Sequence, residues 1–208
     1  MTETRLLVAT TNQGKIREIK THLKKYSFPI FSLQDLHSAP VFPEKGRTFQ
    51  ENARGKSLFY SQFWEGLTLA EDSGLEIVYL EGAPGVYSSR FAGPHATDLE
   101  NIQKVLTLLK DAPPEKRTAR FVSHMVLSQS KEIIKEIHEY VEGFILRKKR
   151  GSSGFGYDPI FYYPPLKKTF AELTPEQKNA VSHRGRALKK LEDFFSHILH
   201  EPEEREGA

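Results

Sequence analysis

Short apolar runs alternate with amphipathic stretches over the first third of the chain, the pattern of strands feeding helices. Residues 5–9 predict a buried strand, and 12–26 a helix with Ile16, Ile19 and Leu23 on one face. A second strand near 29–33 leads through a polar loop to a helix over about 48–63. There Phe49, Ala53, Tyr60 and Phe63 make the buried stripe, while Asn52 and Lys56, four apart, share a face. Residues 67–70 form another short strand that ends in Glu71-Asp72 before Ser73-Gly74. Open α/β sheets place ligands at such carboxyl ends.

Later the pattern changes. Thr97 or Asp98 caps a helix to about Lys110, which the APPE at 112–115 ends. Residues 118–129 and 133–146 carry β-branched and aromatic residues across a polar turn, predicting a long antiparallel hairpin. A glycine-rich loop precedes a short strand over 159–162 and the Pro164-Pro165 break. Thr174 caps a helical turn with Pro175 at its first position. Ser182 caps a last helix whose apolar face is Leu188, Leu191, Phe194, Phe195, Ile198 and Leu199. The sum is a mixed α/β protein with parallel units first, read as one domain over 1–200 and a frayed tail over 201–208.

Composition narrows the chemistry. With 38% hydrophobic and 27% charged residues the chain has the make-up of a soluble globular protein. A net charge of +3 is too slight to argue for nucleic acid. The basic run Arg147-Lys148-Lys149-Arg150 has no interleaved aromatic platform and reads as a solvated turn. Cysteine is absent, which excludes disulfides, thiolate metal sites and cysteine nucleophiles. The chemistry must use oxygen, nitrogen or a hard metal. The N-terminal apolar run is too short for a signal peptide or a membrane span, so a cytoplasmic location is the default expectation.

Four segments carry candidate chemistry. In TTNQGK (Thr10, Thr11, Asn12, Gln13, Gly14, Lys15), a strand end opens a helix, so backbone N–H groups, the helix dipole and Lys15 can converge on phosphate. The GxxxxGK[ST] spacing of a P-loop is absent, and taken alone the hexapeptide reads equally as a plain helix start. Lys56 can add positive charge toward a polyphosphate, though an isolated Asn-Lys pair is more often a solvated face. Asp72 can orient Mg²⁺ or deprotonate water, with Glu44 as a second oxygen ligand; the alternatives are a turn-former and a surface carboxylate. In GFGYDP, Phe155 or Tyr157 can stack on a base while Asp158 accepts from its edge, or the aromatics plug the core. Lys178 and the His183-Arg184 pair lie near helix N-termini, an unfavourable place for cations that an anionic or electron-rich ligand would rationalise.

Together, TTNQGKIREI, TFQENARGK, AEDSGLEI, GAPGVYSSRFAG, ATDLENIQKVL, GFGYDPIF and LTPEQKNAVSHRGRAL resemble the inosine triphosphate pyrophosphatase family, in order from about Leu6 to about Leu191. The resemblance implies a Mg²⁺-dependent hydrolase that converts ITP, dITP and XTP to monophosphate and pyrophosphate. It also implies a homodimer and an elongated central mixed sheet flanked by helices, with the cleft between two lobes. By motif, Thr10 to Lys15 meet the triphosphate, assisted by Lys56. Asp72 matches the general base and metal-binding carboxylate, and Ser73 a substrate contact. Phe155, Gly156, Tyr157 and Asp158, with Lys178, His183 and Arg184, match the nucleotide and base pocket. A donor from Arg184 or a backbone N–H would favour a 6-oxo purine over adenine. Bacterial relatives often carry Asp-Asp where this chain has Glu71-Asp72, and two acidic residues where it has Pro43-Glu44. That leaves Glu44 as the local metal ligand. Rival readings are a septum-inhibitor-type pyrophosphatase, which the GFGYDP and SHRG blocks argue against, and a nucleotide-binding module without catalysis.

Overall fold

Leu6–Val8 (β1) is an uncharged apolar triplet, buried on both faces between two parallel neighbours, Ile30–Ser32 (β2) and Leu67–Ile77 (β3). It belongs to a computed structural model that describes residues 4–36 and 39–200, excluding the side chains of 198–200. The assignments of Ile198, Leu199 and the tail at 201–208 lie outside the described residues.

The expected short strand over 67–70 is longer than its composition suggests. β1 stops at Val8 opposite Leu69, but β3 runs on to Ile77 because an antiparallel partner, Thr118–Gln129 (β4), carries the ladder from Thr68↔Ser128 to Ile77↔Ala119. Glu71 and Asp72 are therefore in mid-strand, just past the point where β1 ends. Alternation sends them to opposite faces of the sheet.

The predicted hairpin is present, with Glu132–Ile145 (β5) pairing along β4. Ser130 and Lys131 both have positive φ (49° and 70°), the two-residue turn that suits the twist of flanking strands. Phe161–Tyr163 (β6) and Lys168–Thr169 (β7) complete a mixed seven-stranded sheet of order β2-β1-β3-β4-β5-β6-β7. β6 begins later than expected, because the N–H groups of Ile160 and Phe161 are turned back onto the Tyr157 carbonyl.

Helices cover both faces: Gln13–Leu23 (α1), Phe49–Tyr60 (α2), Asp98–Leu108 (α3), Pro175–Val181 (α4) and His183–His200 (α5). The side chains of Asn12, Thr48, Thr97 and Thr174 cap the first four. Ser182 Oγ accepts the Gly185 N–H at the start of α5. The stripe of α2 ends sooner than its pattern suggested. The chain turns after Tyr60, leaving Phe63 44% exposed against Phe59.

On one face of the sheet, Leu6, Val8, Leu69 and Met125 pack with Ile19 and Leu23 of α1 and Leu188, Leu191 and Phe195 of α5. On the other, Leu7 and Ala70 meet Tyr60 of α2. Each fully buried Leu or Phe contributes about 1.5–3 kcal/mol. The α3 end is tied down by buried Arg117, which donates to the carbonyls of Leu109 (2.6 Å), Ile145 (2.7 Å) and Leu146 (2.9 Å).

Candidate functional site

A cleft of about 340 Å³ opens where β1 ends and the sheet changes from parallel to antiparallel. Thr10, Thr11, Asn12 and Lys15 line it from the β1–α1 junction, Glu44, Lys56 and Asp72 from the α2 side, and Ser73 from the opposite face of β3, beside Arg184. Phe155 to Asp158, Lys178, His183 and Arg184 close the far wall. Two predicted residues do not line it. The Gln13 side chain is exposed and reaches the Thr11 carbonyl. Gly14 lies beneath Phe155, where an added Cβ would come within 2.6 Å of the ring.

On the α2 side the structure replaces a solvated helix face with a buried one. Asn52 donates to Asp72 Oδ2 (2.9 Å) and accepts the Gly46 N–H (2.8 Å), pulling the preceding loop onto the strand. Lys56 is buried, pairs with Glu44, and donates to the Glu71 carbonyl (3.3 Å). Burial pushes the Asp72 carboxyl above its ordinary pKa, against the pull of Lys15 and Lys56. Burial acts the same way on Glu44, but adjacent Lys56 wins and holds it below the usual carboxylate range. No cluster of three or more His, Asp or Glu suited to a metal exists among the described residues. Asp72 and Glu44, two carboxylates on the cleft wall, fit the habit of Mg²⁺, which binds one or two carboxylates and completes its shell with water and phosphate.

On the α1/α5 side an ion network is buried behind the wall. Arg184 Nε donates to both oxygens of Glu71 (3.0 and 2.8 Å), Nη1 to Glu18 (2.5 Å) and Nη2 to Ser73 Oγ (3.0 Å). Ser123 Oγ donates to Glu71 Oε1 (2.8 Å), and Lys15 Nζ is 3.8 Å from Oε2. Burial alone would raise the Glu71 pKa, yet Arg184 and Lys15 hold it far below the carboxylate range. Glu71 and Glu18 likewise keep Arg184 protonated against the cost of its burial. The cations at these helix starts thus need no ligand to explain them, because the protein's own carboxylates offset the dipole. Burial lowers the Lys15 pKa despite Glu71.

His183 stacks on Phe121 (centroids 4.8 Å apart, 11° between planes). Burial, reinforced by Arg184, holds it well below its ordinary pKa and therefore neutral, and its Nδ1 is buried without a partner. In the glycine-rich loop, Gly154 and Gly156 take positive φ (79° and 59°). Asp158 spends its carboxylate inside the protein, accepting from the Phe155 N–H (2.9 Å) and Lys178 Nζ (2.5 Å). Tyr157 is core, its hydroxyl donating to the Ser88 carbonyl (2.7 Å). Phe155 is the less buried ring of this loop at the cleft, with Lys178 and Arg184 4.7 and 5.4 Å from its centroid.

Sequence reasoning missed Glu18 and Ser123 and understated Glu71. Glu18 offered one signal, its place one turn after Lys15; Ser123 offered none. The assembled cleft suits a multiply charged anion joined to a flat ring.

A family model described as the Ham1 family matches residues 6–194. A dITP/XTP pyrophosphatase of Desulforamulus reducens is 43% identical over 194 residues, covering 93% of this chain and 96% of its own. Another from Bacillus cereus is 44% identical over 192 residues, covering 90% and 93%. Among solved structures, a HAM1 protein from Coxiella burnetii aligns with a TM-score of 0.85 at 40% identity, over 93% of this chain and 99% of its own. The Ham1 protein of Staphylococcus aureus gives 0.83 at 38%, over 94% and 100%.

Proposed function

The chain belongs to the Ham1 family, and from that membership we propose that it hydrolyses non-standard purine nucleoside triphosphates, ITP, dITP and XTP, to monophosphate and pyrophosphate. The observation that carries the reading onto this chain is the convergence of Lys15, Lys56 and Asp72 in one cleft at the end of β1.

Pyrophosphate leaves when water attacks the α-phosphorus: a P–O bond forms to the water oxygen, and the bond to the bridging oxygen of the β-phosphate breaks. Asp72 is proposed as the base that takes the water proton. Lys15 and Lys56 face the triphosphate and offset the charge gathering on the leaving group. Asp72 and Glu44 would hold Mg²⁺, which when bound supplies charge neutralisation and a water of lowered pKa. Thr10, Thr11 and Asn12 line the same end, and Ser73 lies between it and Arg184.

At the base end, Phe155 supplies the ring face, and His183 and Arg184 the polar contacts. A 6-oxo group presents an acceptor where adenine presents a donor, so a site built of donors separates the two. The sheet, continuous from β2 to β7, supports reading residues 1–200 as one domain. A homodimer and a cytoplasmic location complete the proposal. No helix among the described residues is long and apolar enough to cross a membrane.

The test is a panel of ITP, XTP, dITP, GTP and ATP with Mg²⁺, scoring pyrophosphate separately from phosphate. Pyrophosphate from ITP, XTP and dITP, but not from GTP or ATP, is expected. Release of phosphate would contradict attack at the α-phosphorus. Binding without either product would favour the non-catalytic module.

A further inference from the structure

Glu71 is chemically the most heavily engaged carboxylate near the cleft, yet it does not line it. Its side chain is 1% exposed, and it faces away from Asp72, its neighbour on β3. We propose that Glu71 is the positioning residue of the site, a carboxylate that touches no ligand and instead fixes Arg184 on the base side and Lys15 on the phosphate side. This rests on the nucleotide reading given above.

The donor count of Arg184 supports it. A guanidinium has five N–H groups. Glu71 takes the one on Nε, while Glu18 and Ser73 each take one of the pair on their nitrogen. One N–H on each terminal nitrogen remains, and the grip on Nε sets the plane in which they point. Ser123 fixes Glu71 in turn, from the residue paired with Ser73 across the β3–β4 ladder. Lys15, held at 3.8 Å from the same carboxylate, is thereby placed relative to Arg184. A nucleotide whose phosphates meet Lys15 and whose base meets Arg184 is gripped by two cations with one common anchor.

A purely stabilising ion pair predicts something different. Buried pairs contribute little net stability, and breaking one lowers the melting temperature without changing which base is preferred. The discriminating experiment measures binding of inosine and adenosine monophosphates in EDTA by calorimetry, alongside steady-state hydrolysis of ITP and ATP. The proteins are the wild type, Glu71→Gln and Glu71→Asp. Glu71→Gln is expected to weaken inosine monophosphate about tenfold or more and adenosine monophosphate only slightly, with the loss in ITP hydrolysis falling on KM rather than kcat. The pH profile of kcat stays in place, and Glu71→Asp, which keeps the charge, recovers most of the preference.

An unchanged inosine-to-adenosine ratio in folded Glu71→Gln would overturn the proposal. So would a loss confined to kcat with a shifted pH profile, which would make Glu71 part of the chemistry. If Glu71→Gln does not fold, Ser123→Ala replaces it, with a shift of about threefold expected in the same direction; wild-type preference there overturns the proposal equally. A wild type that neither prefers inosine monophosphate nor releases pyrophosphate sinks the functional reading and this inference together. A selective wild type with an equally selective Glu71→Gln sinks this inference alone.

Discussion

Gly185→Ala tests whether the α4–α5 junction places the base-side residues. Gly185 lies just after His183-Arg184, and a Cβ built there falls 1.7 Å from the Asn179 carbonyl oxygen and 2.6 Å from its carbon. The obstacle is backbone, so no rotamer change relieves it. Ordinary non-bonded separation requires α5 to move from α4 by roughly 1.5 Å. Overpacking of this kind costs about 2–3 kcal/mol. For a chain of this size each kcal/mol is about 2–4 °C, so the melting temperature is expected to drop about 4–12 °C. The same shift separates Arg184 and His183 on α5 from Lys178 on α4, and a misplacement near 1 Å can cost about 10²-fold in rate. The assay pairs a thermal melt with kcat/KM for pyrophosphate release from ITP. The control is Gly82→Ala, at φ 92° with nothing within 4 Å of the added carbon and outside the cleft lining, which strains its turn by about 1 kcal/mol and is expected to leave kcat/KM within about threefold of wild type. A Gly185→Ala protein that melts like the wild type and keeps kcat/KM within about threefold would refute the reasoning.

Three further outcomes follow from the same geometry. Asp72→Asn is expected to lower kcat by about 10³-fold or more while nucleotide binding persists; near-normal turnover would remove Asp72 from the chemistry. Arg117→Met removes three hydrogen bonds to carbonyls, of which Leu109 keeps the Ala112 N–H and Leu146 is half-buried, and is expected to cost about 2 kcal/mol, read as a lower denaturation midpoint with ITP kinetics unchanged in the folded protein. For pH, His183 is held neutral in the fold, so the unfolded chain takes up a proton first and stability falls as pH drops below about 6.5. Glu71 and Glu18 have depressed pKa values, so their contribution is complete above about 4.5 and is lost as pH falls below that. Asp72 and Asp158, raised by burial, act in the opposite sense to Glu71 and Glu18. Melting temperatures from pH 7.5 to 4 are expected to fall, with His183→Asn flattening the upper part of the curve; an unchanged upper part would show that His183 does not titrate as argued.

Local signals were legible in the sequence and long-range ones were not. The caps at Thr97 and Thr174, the helix starts near Asn12 and Thr48, and the apolar spacing of α1 depend on neighbours a few residues away, and they match the observed helix starts. β3 was cut short because Glu71-Asp72-Ser73-Gly74 has the composition of a turn, and the partner that makes it strand, β4, follows some fifty residues later in the chain. Asn52 and Lys56 looked solvated for the same reason: Asp72 and Glu44, which justify their burial, lie outside the helix. Tyr157 shows the opposite limit. Its glycine neighbours suggested a ligand platform, whereas its ring is packed into the core and reaches the cleft only as part of the wall, leaving Phe155 as the more exposed ring of the loop. All the candidate residues except Gln13 and Gly14 line one cavity. Which of them face it with free polar atoms, and which spend those atoms on one another, required the packing.

The placement of Glu71 and Asp72 on successive positions of one strand bears on how this chain can vary by descent. A single inserted or deleted codon between Leu69 and Glu71 turns the remainder of β3 over. It would send Asp72, the proposed base, toward the arginine network and Glu71, the proposed anchor, toward the cleft. Length changes are thus barred from this stretch, while the exposed turn at Ser130-Lys131 can absorb them. In a lineage of such proteins, gaps should collect at the hairpin tip and be missing from β3.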